Sequence, residues 1–106
     1  MRSQNNGFKD FVLDQLADWP GVTCRAMFGG YGLYHERTFF GIIHKGWLYF
    51  KTDPSTALYY RTLNMKPFRP NASQTLKNYY EVPADILEDA DRLIEYARQA
   101  SRARSR

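Results

Sequence analysis

The sequence predicts an α+β domain, in which an N-terminal helix, a short middle helix and a C-terminal helix pack against an antiparallel β-sheet of about four to six strands. Apolar residues recur at helical spacing near both ends of the chain, and short β-prone runs separated by compact turns lie between them. Strands this short and closely spaced pair antiparallel, because a parallel pair needs a crossover connection. With 106 residues, the chain can form one hydrophobic core.

The N-terminal helix is predicted over residues 8–19, where the apolar side chains form one stripe. These are Phe8, Phe11, Val12, Leu16 and Trp19. Pro20-Gly21 ends this helix. The next four strands are predicted over residues 22–28, 31–35, 38–44 and 47–52. Lys45-Gly46 forms the last of their turns, with Gly46 at a positive φ.

The middle helix is predicted over residues 55–62, with Asp53 as its N-cap and Pro54 at its first position. Ala57, Leu58 and either Tyr59 or Tyr60 are expected to point inward. Two extended pieces follow, over residues 65–68 and 79–82, joined across a polar loop at residues 70–74.

The C-terminal helix is predicted to begin at Pro83. Its expected buried stripe consists of Ile86, Ala90, Leu93 or Ile94, and Ala97. Acidic residues crowd its first half and arginines its end, an order that suits the helix macrodipole.

Charge is unevenly distributed along the chain. The formal net charge is +4, and between Pro20 and Tyr80 there are eight basic residues against two acidic ones. The basic residues are Arg25, Arg37, Lys45, Lys51, Arg61, Lys66, Arg69 and Lys77. This excess is compatible with nucleic acid or another polyanion, and equally with an ordinary solvated surface.

The sequence carries no sign of export or membrane insertion. Residues 1–7 lack an apolar segment, and the longest apolar run, 39–43, is far shorter than a membrane span. Cys24 is the single cysteine, so no internal disulfide can form. We therefore expect one cytoplasmic domain over residues 1–106, ordered over about 8–100 and with a frayed basic tail at 101–106.

The Gly-rich segment Phe28-Gly29-Gly30-Tyr31-Gly32 invites comparison with a phosphate-binding loop. Such a loop needs its glycines between a strand and a helix, so that helix N–H groups face the phosphate. Here strands are predicted on both sides of the glycines. We therefore expect these glycines to shape the sheet, by a bend or by the close approach of a chain segment or an aromatic ring.

Catalytic groups are not recognisable in the sequence. Cys24 beside Arg25 is a conceivable nucleophile, but His35 and His44 fall at strand ends or turns, and neither is clearly placed as its base. A lone cysteine is usually a small buried hydrophobe. The carboxylates near residues 85–91 and at Asp53 are explained by helix starts, and no metal-ligand spacing or cofactor motif occurs. The sequence thus predicts no catalytic residue, metal site or cofactor.

The strand at residues 47–52 offers the best candidate surface. Alternation puts Trp47, Tyr49 and Lys51 on one face, with Leu48 and Phe50 on the other. The neighbouring strand is expected to oppose Phe39 and Ile43 to Phe40 and Ile42 in the same way. The candidate binding surface comprises Trp47, Tyr49, Lys51, Lys45, Arg61, Lys66 and Arg69. If the aromatic face is exposed, it can stack single-stranded nucleic acid or dock a protein; otherwise it is core or a homodimer contact.

The run from Arg25 to Tyr34, Arg-Ala-Met-Phe-Gly-Gly-Tyr-Gly-Leu-Tyr, resembles the signature of the N-terminal domain of the TfoX/Sxy family of bacterial competence regulators. Similar pieces follow in the family's order at residues 39–40, 48–53, 79–83 and 87–91, so that the resemblance covers about residues 8–100. The resemblance implies an α+β domain with an antiparallel sheet. Full-length regulators of this family carry a second, C-terminal helical domain, so we expect this chain to be a stand-alone copy of the first.

The resemblance also implies a link to transcription, because competence regulators act as coactivators of gene expression. We therefore expect a non-enzymatic regulatory binding domain that acts through an unidentified protein partner. Direct nucleic-acid binding through the basic and aromatic surface is the alternative, and a cysteine-dependent enzyme is the third hypothesis. A homodimer is also compatible with the sequence.

Overall fold

The computed structural model describes residues 4–27 and 29–104 and confirms the predicted fold class. The helices and strands, in chain order, are α1 Gln4–Gln15, β1 Val22–Met27, β2 Gly30–His35, β3 Thr38–His44, β4 Trp47–Lys51, α2 Pro54–Thr62, β5 Pro67–Asn71, β6 Gln74–Glu81, α3 Ala84–Leu87 and α4 Ala90–Arg102. The strands form one antiparallel sheet of six strands in the order β1-β2-β3-β4-β6-β5. None of the helices among the described residues has the length and apolar character to cross a membrane.

The hydrophobic core lies between the helices and one face of the sheet. The helices contribute Val12, Leu16, Ala57, Tyr60, Ile86, Leu93, Ala97 and Ala100, and the sheet side contributes Leu33, Phe40, Ile43, Leu48, Phe50, Tyr80 and Val82. All of these side chains are buried. The predicted alternation on β4 is confirmed, since Leu48 and Phe50 point into this core.

A β-bulge in β3 overturns the predicted alternation on that strand. Leu33 pairs with Gly41 and Tyr34 pairs with Phe39, so Phe40 has no partner residue on β2. The extra residue turns Phe40 and Ile43 toward the helices together, although strict alternation sets them on opposite faces. Phe39 therefore lies on the same face of the sheet as Ile42. The expectation that Phe39 and Ile43 share a face is wrong.

The first helix begins and ends earlier than predicted. It stops at Gln15, and the following turn still buries Leu16 and Trp19, with the Trp19 N–H bonded to the Leu16 carbonyl at 2.9 Å. Phe11, predicted in the buried stripe, is 40% exposed. The stripe is therefore narrower than its apolar spacing suggests.

The start of α2 confirms the predicted cap. An Asp53 carboxylate oxygen accepts the Thr56 N–H at 2.9 Å, and the Thr56 hydroxyl oxygen accepts the Asp53 N–H at 2.9 Å. Ala57 and Tyr60 point inward as expected, whereas Leu58 is 57% exposed, so its inward placement is wrong. At the turn between β3 and β4, Gly46 has the predicted positive φ of 81°.

The predicted polar loop at residues 70–74 is mostly strand. Strands β5 and β6 form a hairpin closed at residues 71–74, where the Asn71 side chain accepts the Ser73 N–H at 3.0 Å. Arg69 donates to the Ala72 carbonyl at 2.7 Å. Local side-chain bonds thus make a tight turn from residues whose composition is typical of a longer loop.

The C-terminal helical region is divided. Helix α3 follows Pro83, and Asp89 then caps a separate helix α4 by accepting the Arg92 N–H at 3.2 Å. A single helix from Pro83 is therefore wrong, because Asp89 takes the extended backbone of an N-cap. Helix α4 continues through Arg102 and Ala103 is buried, beyond the predicted boundary near residue 100.

Two glycines of the Gly-rich segment stand where other groups come close. A Cβ on Gly30 would collide with the Ile43 carbonyl oxygen of β3, and one on Gly32 would collide with the Met27 sulfur and approach the Phe39 ring to 2.9 Å. Strand β1 ends just before the segment and β2 begins within it at Gly30, so the glycines join two strands, as predicted, and not a strand and a helix. Phe28 lies outside the described residues.

Candidate functional site

The sheet face turned away from the helices carries its own set of aromatic side chains. Directly paired residues of an antiparallel sheet share a face, and the observed registers place one such set opposite the core. We call this set the open face and define it by Tyr34, Phe39, Ile42, Tyr49, Lys51 and Tyr79. None of its residues belongs to the core formed with the described helices.

One half of the open face is an aromatic row with a cation above it. The Tyr34 and Phe39 rings lie 5.2 Å apart between centroids, and Phe39 and Tyr79 lie 5.7 Å apart. The Arg25 guanidinium sits 5.4 Å above the Tyr34 ring. The rings are half-buried, so their packing holds each ring in place while part of each remains accessible.

The other half is closed by a residue of the β5–β6 hairpin. The Phe68 ring lies 4.7 Å from Tyr49 and 5.2 Å from His44, and Phe68 is fully buried. Trp47, on the same strand as Tyr49, remains 53% exposed. The hairpin thus covers part of the open face and leaves one large indole at its border.

A cleft of about 820 Å³ lies between β4 and the hairpin. Its lining includes Trp47, Tyr49, Met65, Lys66, Arg69 and Glu81. It therefore combines an exposed indole, a flexible thioether, two cations and one carboxylate.

The electrostatics of this cleft are governed by partial burial. Tyr49 and Glu81 pair directly across β4 and β6. Burial raises the pKa of Glu81 above its ordinary value, and the Lys66 ammonium opposes that rise. Burial also raises the pKa of Tyr49, with a further contribution from the Glu81 charge. Next to them, burial lowers the pKa of His44 and Lys45 adds to the effect.

Four of the seven predicted surface residues line this one cleft: Trp47, Tyr49, Lys66 and Arg69. Lys51 lies on the open face outside the cleft, where it pairs with Tyr79. Lys45 lies in the turn between β3 and β4. Arg61 is on α2 and donates to the Tyr80 hydroxyl at 3.1 Å, on the helix side of the sheet, so it does not join the others. That these residues bind a partner stays a prediction.

The predicted surface does not include Phe68, Met65 or Glu81. Residues 65–68 were expected to be extended, but their place beside Tyr49 depends on β5 and β6 folding back next to β4. The only sequence signal is a run of alternating apolar residues interrupted by Pro67 and Pro70, which is typical of an edge strand.

Among the described residues, no hydrogen bond links Cys24 to His35 or His44. Cys24 pairs with Leu33 and lies on the helix side of the sheet, whereas His44 lies on the opposite side. The His35 ring stacks on Trp19 at 4.1 Å, and its Nε2 lies 3.0 Å from the Pro20 carbonyl oxygen. Over residues 4–27 and 29–104, His, Cys, Asp and Glu form no group of three able to hold a metal ion.

Comparison with known proteins gives one family. The family described as TfoX N-terminal domain matches residues 14–104 of the 106-residue chain, which includes every strand of the sheet. Among curated proteins, no match is significant.

Proposed function

The chain belongs to the TfoX N-terminal domain family, and on that premise we propose that it is a non-enzymatic regulatory binding domain of competence-type transcription control. The family is regulatory in type and is not a known enzyme family. The proposed contact surface is the cleft at the border of the open face, and the proposed partner is a protein.

The observation that carries this proposal is the exposure of Trp47 at the mouth of the cleft. Trp, Tyr, Arg and Met are the residues enriched in the central parts of protein interfaces, and all four line this cleft. Trp47 is 53% exposed, whereas the neighbouring Phe68 is fully buried and holds Tyr49 in place. Lys66, Arg69 and Glu81 supply both signs of charge around the indole, which suits a partner that itself carries both signs.

A titration of the isotopically labelled chain with fractionated native lysate tests the proposal. We expect saturable shifts of amide signals that map to the cleft, followed by isolation of the protein responsible. Trp47→Ala removes the exposed anchor, and Leu58→Ala is the matched control, because Leu58 is 57% exposed but lies on the helix layer.

The size of the expected loss follows from the exposed area of Trp47. A Trp side chain offers about 250 Å², so its 53% exposed part is about 130 Å². Burial of that area at about 25 cal/mol per Å² is worth about 3 kcal/mol, or roughly 100-fold in Kd. Equal binding by the Trp47→Ala and Leu58→Ala variants would contradict the proposal.

Single-stranded nucleic acid is the second candidate, and the placement of charges favours it. Within the described strands, Glu81 is the only acidic residue, against Arg25, Lys51, Arg69 and Lys77. The other carboxylates lie on helices or turns. A sheet that displays half-exposed aromatic rings among cations can stack bases and neutralise phosphates.

This second candidate predicts binding to short single-stranded DNA or RNA that weakens steeply as salt is raised. The responding signals should lie along the aromatic row of Tyr34, Phe39 and Tyr79, beside Arg25 and Lys51. Absence of any amide shift at low salt rules it out, while leaving the protein-binding proposal untouched.

A further inference from the structure

The two edges of the sheet differ in chemistry. Strand β5 carries Pro67 and Pro70, which have no N–H to offer a further strand, and its register with β6 is irregular. Strand β1 has no proline and pairs with β2 in an unbroken register over all of its six residues. Only β1 therefore presents a regular edge.

The outward backbone groups of β1 have no bonding partner among the described residues. Alternate residues of an edge strand point their N–H and C=O groups away from the neighbouring strand. Over residues 4–27 and 29–104, no hydrogen bond joins Val22–Met27 to any segment besides β2. The side chain of Arg25, the single charge on this strand, lies over the Tyr34 ring on the open face.

We propose that β1 is the edge at which a second copy of this chain pairs, antiparallel, to extend the sheet across a two-fold axis. Identical edge strands can pair antiparallel only about an axis perpendicular to the sheet. Such an axis keeps the helices of both copies on the same side of the extended sheet. Each residue of β1 must therefore lie opposite a residue of the second copy whose side chain points to the same face. One residue of β1 must therefore lie directly opposite its own copy, with the axis passing between the two.

The chemistry of the strand selects which residue faces its own copy across the axis. Centred on Arg25, the pairing sets two guanidinium groups opposite each other, which is unfavourable. Centred on Cys24, it sets Thr23 opposite Arg25 of the second copy and Val22 opposite Ala26, so like charges do not meet. Either centre pairs five residues of β1 with five of the second copy. About Cys24, an identical strand therefore fits this edge without a clash of like charges and with apolar residues opposite each other on the helix side, and this fit is the reason to assign the edge to a second copy.

This arrangement has two structural consequences. The two Cys24 Cα atoms would lie about 4.5–5.5 Å apart, within reach of a short thiol cross-link. The open faces of both copies would also lie side by side on one surface. Because a six-residue edge buries little area, the dimer should be weak and dependent on concentration.

Sedimentation equilibrium of the full chain tests the pairing with charge variants of Thr23, which is exposed. Thr23→Glu places a carboxylate opposite Arg25 at both symmetry-related positions and should tighten the dimer roughly 2- to 30-fold. Thr23→Arg should weaken it by a similar factor, and the double variant Thr23→Arg with Arg25→Thr should restore it. Thr38→Glu and Thr38→Arg, at an exposed position of β3, are the matched controls and should change nothing.

Cross-linking reports the register independently, because Cys24 is the only cysteine of the chain. Dibromobimane, which bridges two nearby thiols, should give a fluorescent covalent dimer, in greater yield with Thr23→Glu and in none with Cys24→Ser. Sedimentation of Cys24→Ser should still show the non-covalent dimer. A dimer insensitive to both charge changes at Thr23 overturns the proposal, because it must use another surface. A chain that stays monomeric up to the concentrations used for NMR overturns the proposal as well. If the amide signals of β1 shift only when extended peptides are added, the edge binds that class of ligand and not a second copy.

Discussion

Replacement of Gly30 by alanine should destabilise the domain far more than the same change at the adjacent Gly29. A Cβ at Gly30 meets the backbone carbonyl oxygen of Ile43, which cannot rotate away, so β2 and β3 must separate locally. Overpacking costs about 1–3 kcal/mol and a lost ladder hydrogen bond about 1 kcal/mol, so Gly30→Ala should cost about 2–4 kcal/mol. At about 4–8 °C per kcal/mol, Tm should fall by roughly 8–30 °C.

Gly29 supplies the control because it is strained for a different reason. It has a φ of +75°, and apart from its chain neighbours no group of the described residues lies within 4 Å of the position that a Cβ would take. Gly29→Ala should therefore cost only about 1–2 kcal/mol of left-handed backbone energy. Asparagine tolerates that conformation, so Gly29→Asn should recover part of the loss, whereas Gly30→Asn should be no better than Gly30→Ala. Urea unfolding followed by the fluorescence of Trp19 and Trp47 measures all four variants. A Gly30→Ala cost no larger than that of Gly29→Ala would refute the steric argument.

Three further predictions concern the cap, the cleft and the hairpin. Hydrogen bonds from Thr56 and Ser55 lower the pKa of Asp53, so its carboxylate stabilises the fold above the unfolded-state pKa of about 4, and this contribution is lost as pH falls through the folded pKa. At pH 7, Asp53→Ala should lower the free energy of unfolding by about 1 kcal/mol and Asp53→Asn by much less, because asparagine also caps helices. If the stability advantage of wild type over Asp53→Asn did not shrink in acid, this reasoning would be contradicted. The pH dependence at Glu81 has the opposite sign, because burial raises its pKa and its ionisation destabilises the fold as pH rises through the folded pKa. In urea unfolding, the stability of Glu81→Gln should therefore rise relative to wild type between acid and neutral pH. A stability difference that stays constant over this pH range would contradict the prediction. Phe68→Ala should cost about 3–5 kcal/mol in urea unfolding, because the ring is fully buried against Tyr49 and His44, and a loss below about 1 kcal/mol would show that the hairpin does not depend on this contact.

Local signals in the sequence identified most of the elements. The bounds of β3 are those predicted, and the cap of α2 at Asp53 and the turn at Gly46 follow from side-chain chemistry within a few residues. The errors have non-local causes. The bulge at Phe40 depends on how β2 and β3 align, and the exposure of Leu58 depends on how α2 lies over β6. Neither alignment leaves a periodic mark in the sequence.

The candidate site shows the same division. Alternation on β4 set Trp47 and Tyr49 on one face, and the alternating burial along the strand agrees with it. The cleft needs the β5–β6 hairpin beside that face, and only the strand order brings Lys66 and Arg69 to it while leaving Arg61 on the helix side.

The sequence by itself determined the α+β class, the family and the location of most helices and strands, because these depend on residue type and spacing over short stretches of chain. The tertiary structure decided what the Gly-rich segment does and which face of the sheet stays open. Gly30 and Gly32 accommodate Ile43, Met27 and Phe39. All described helices pack on the face that carries Leu33, Leu48 and Phe50. Which surfaces meet is set by the packing of distant segments, since burial is a property of neighbours in space and not of neighbours in sequence.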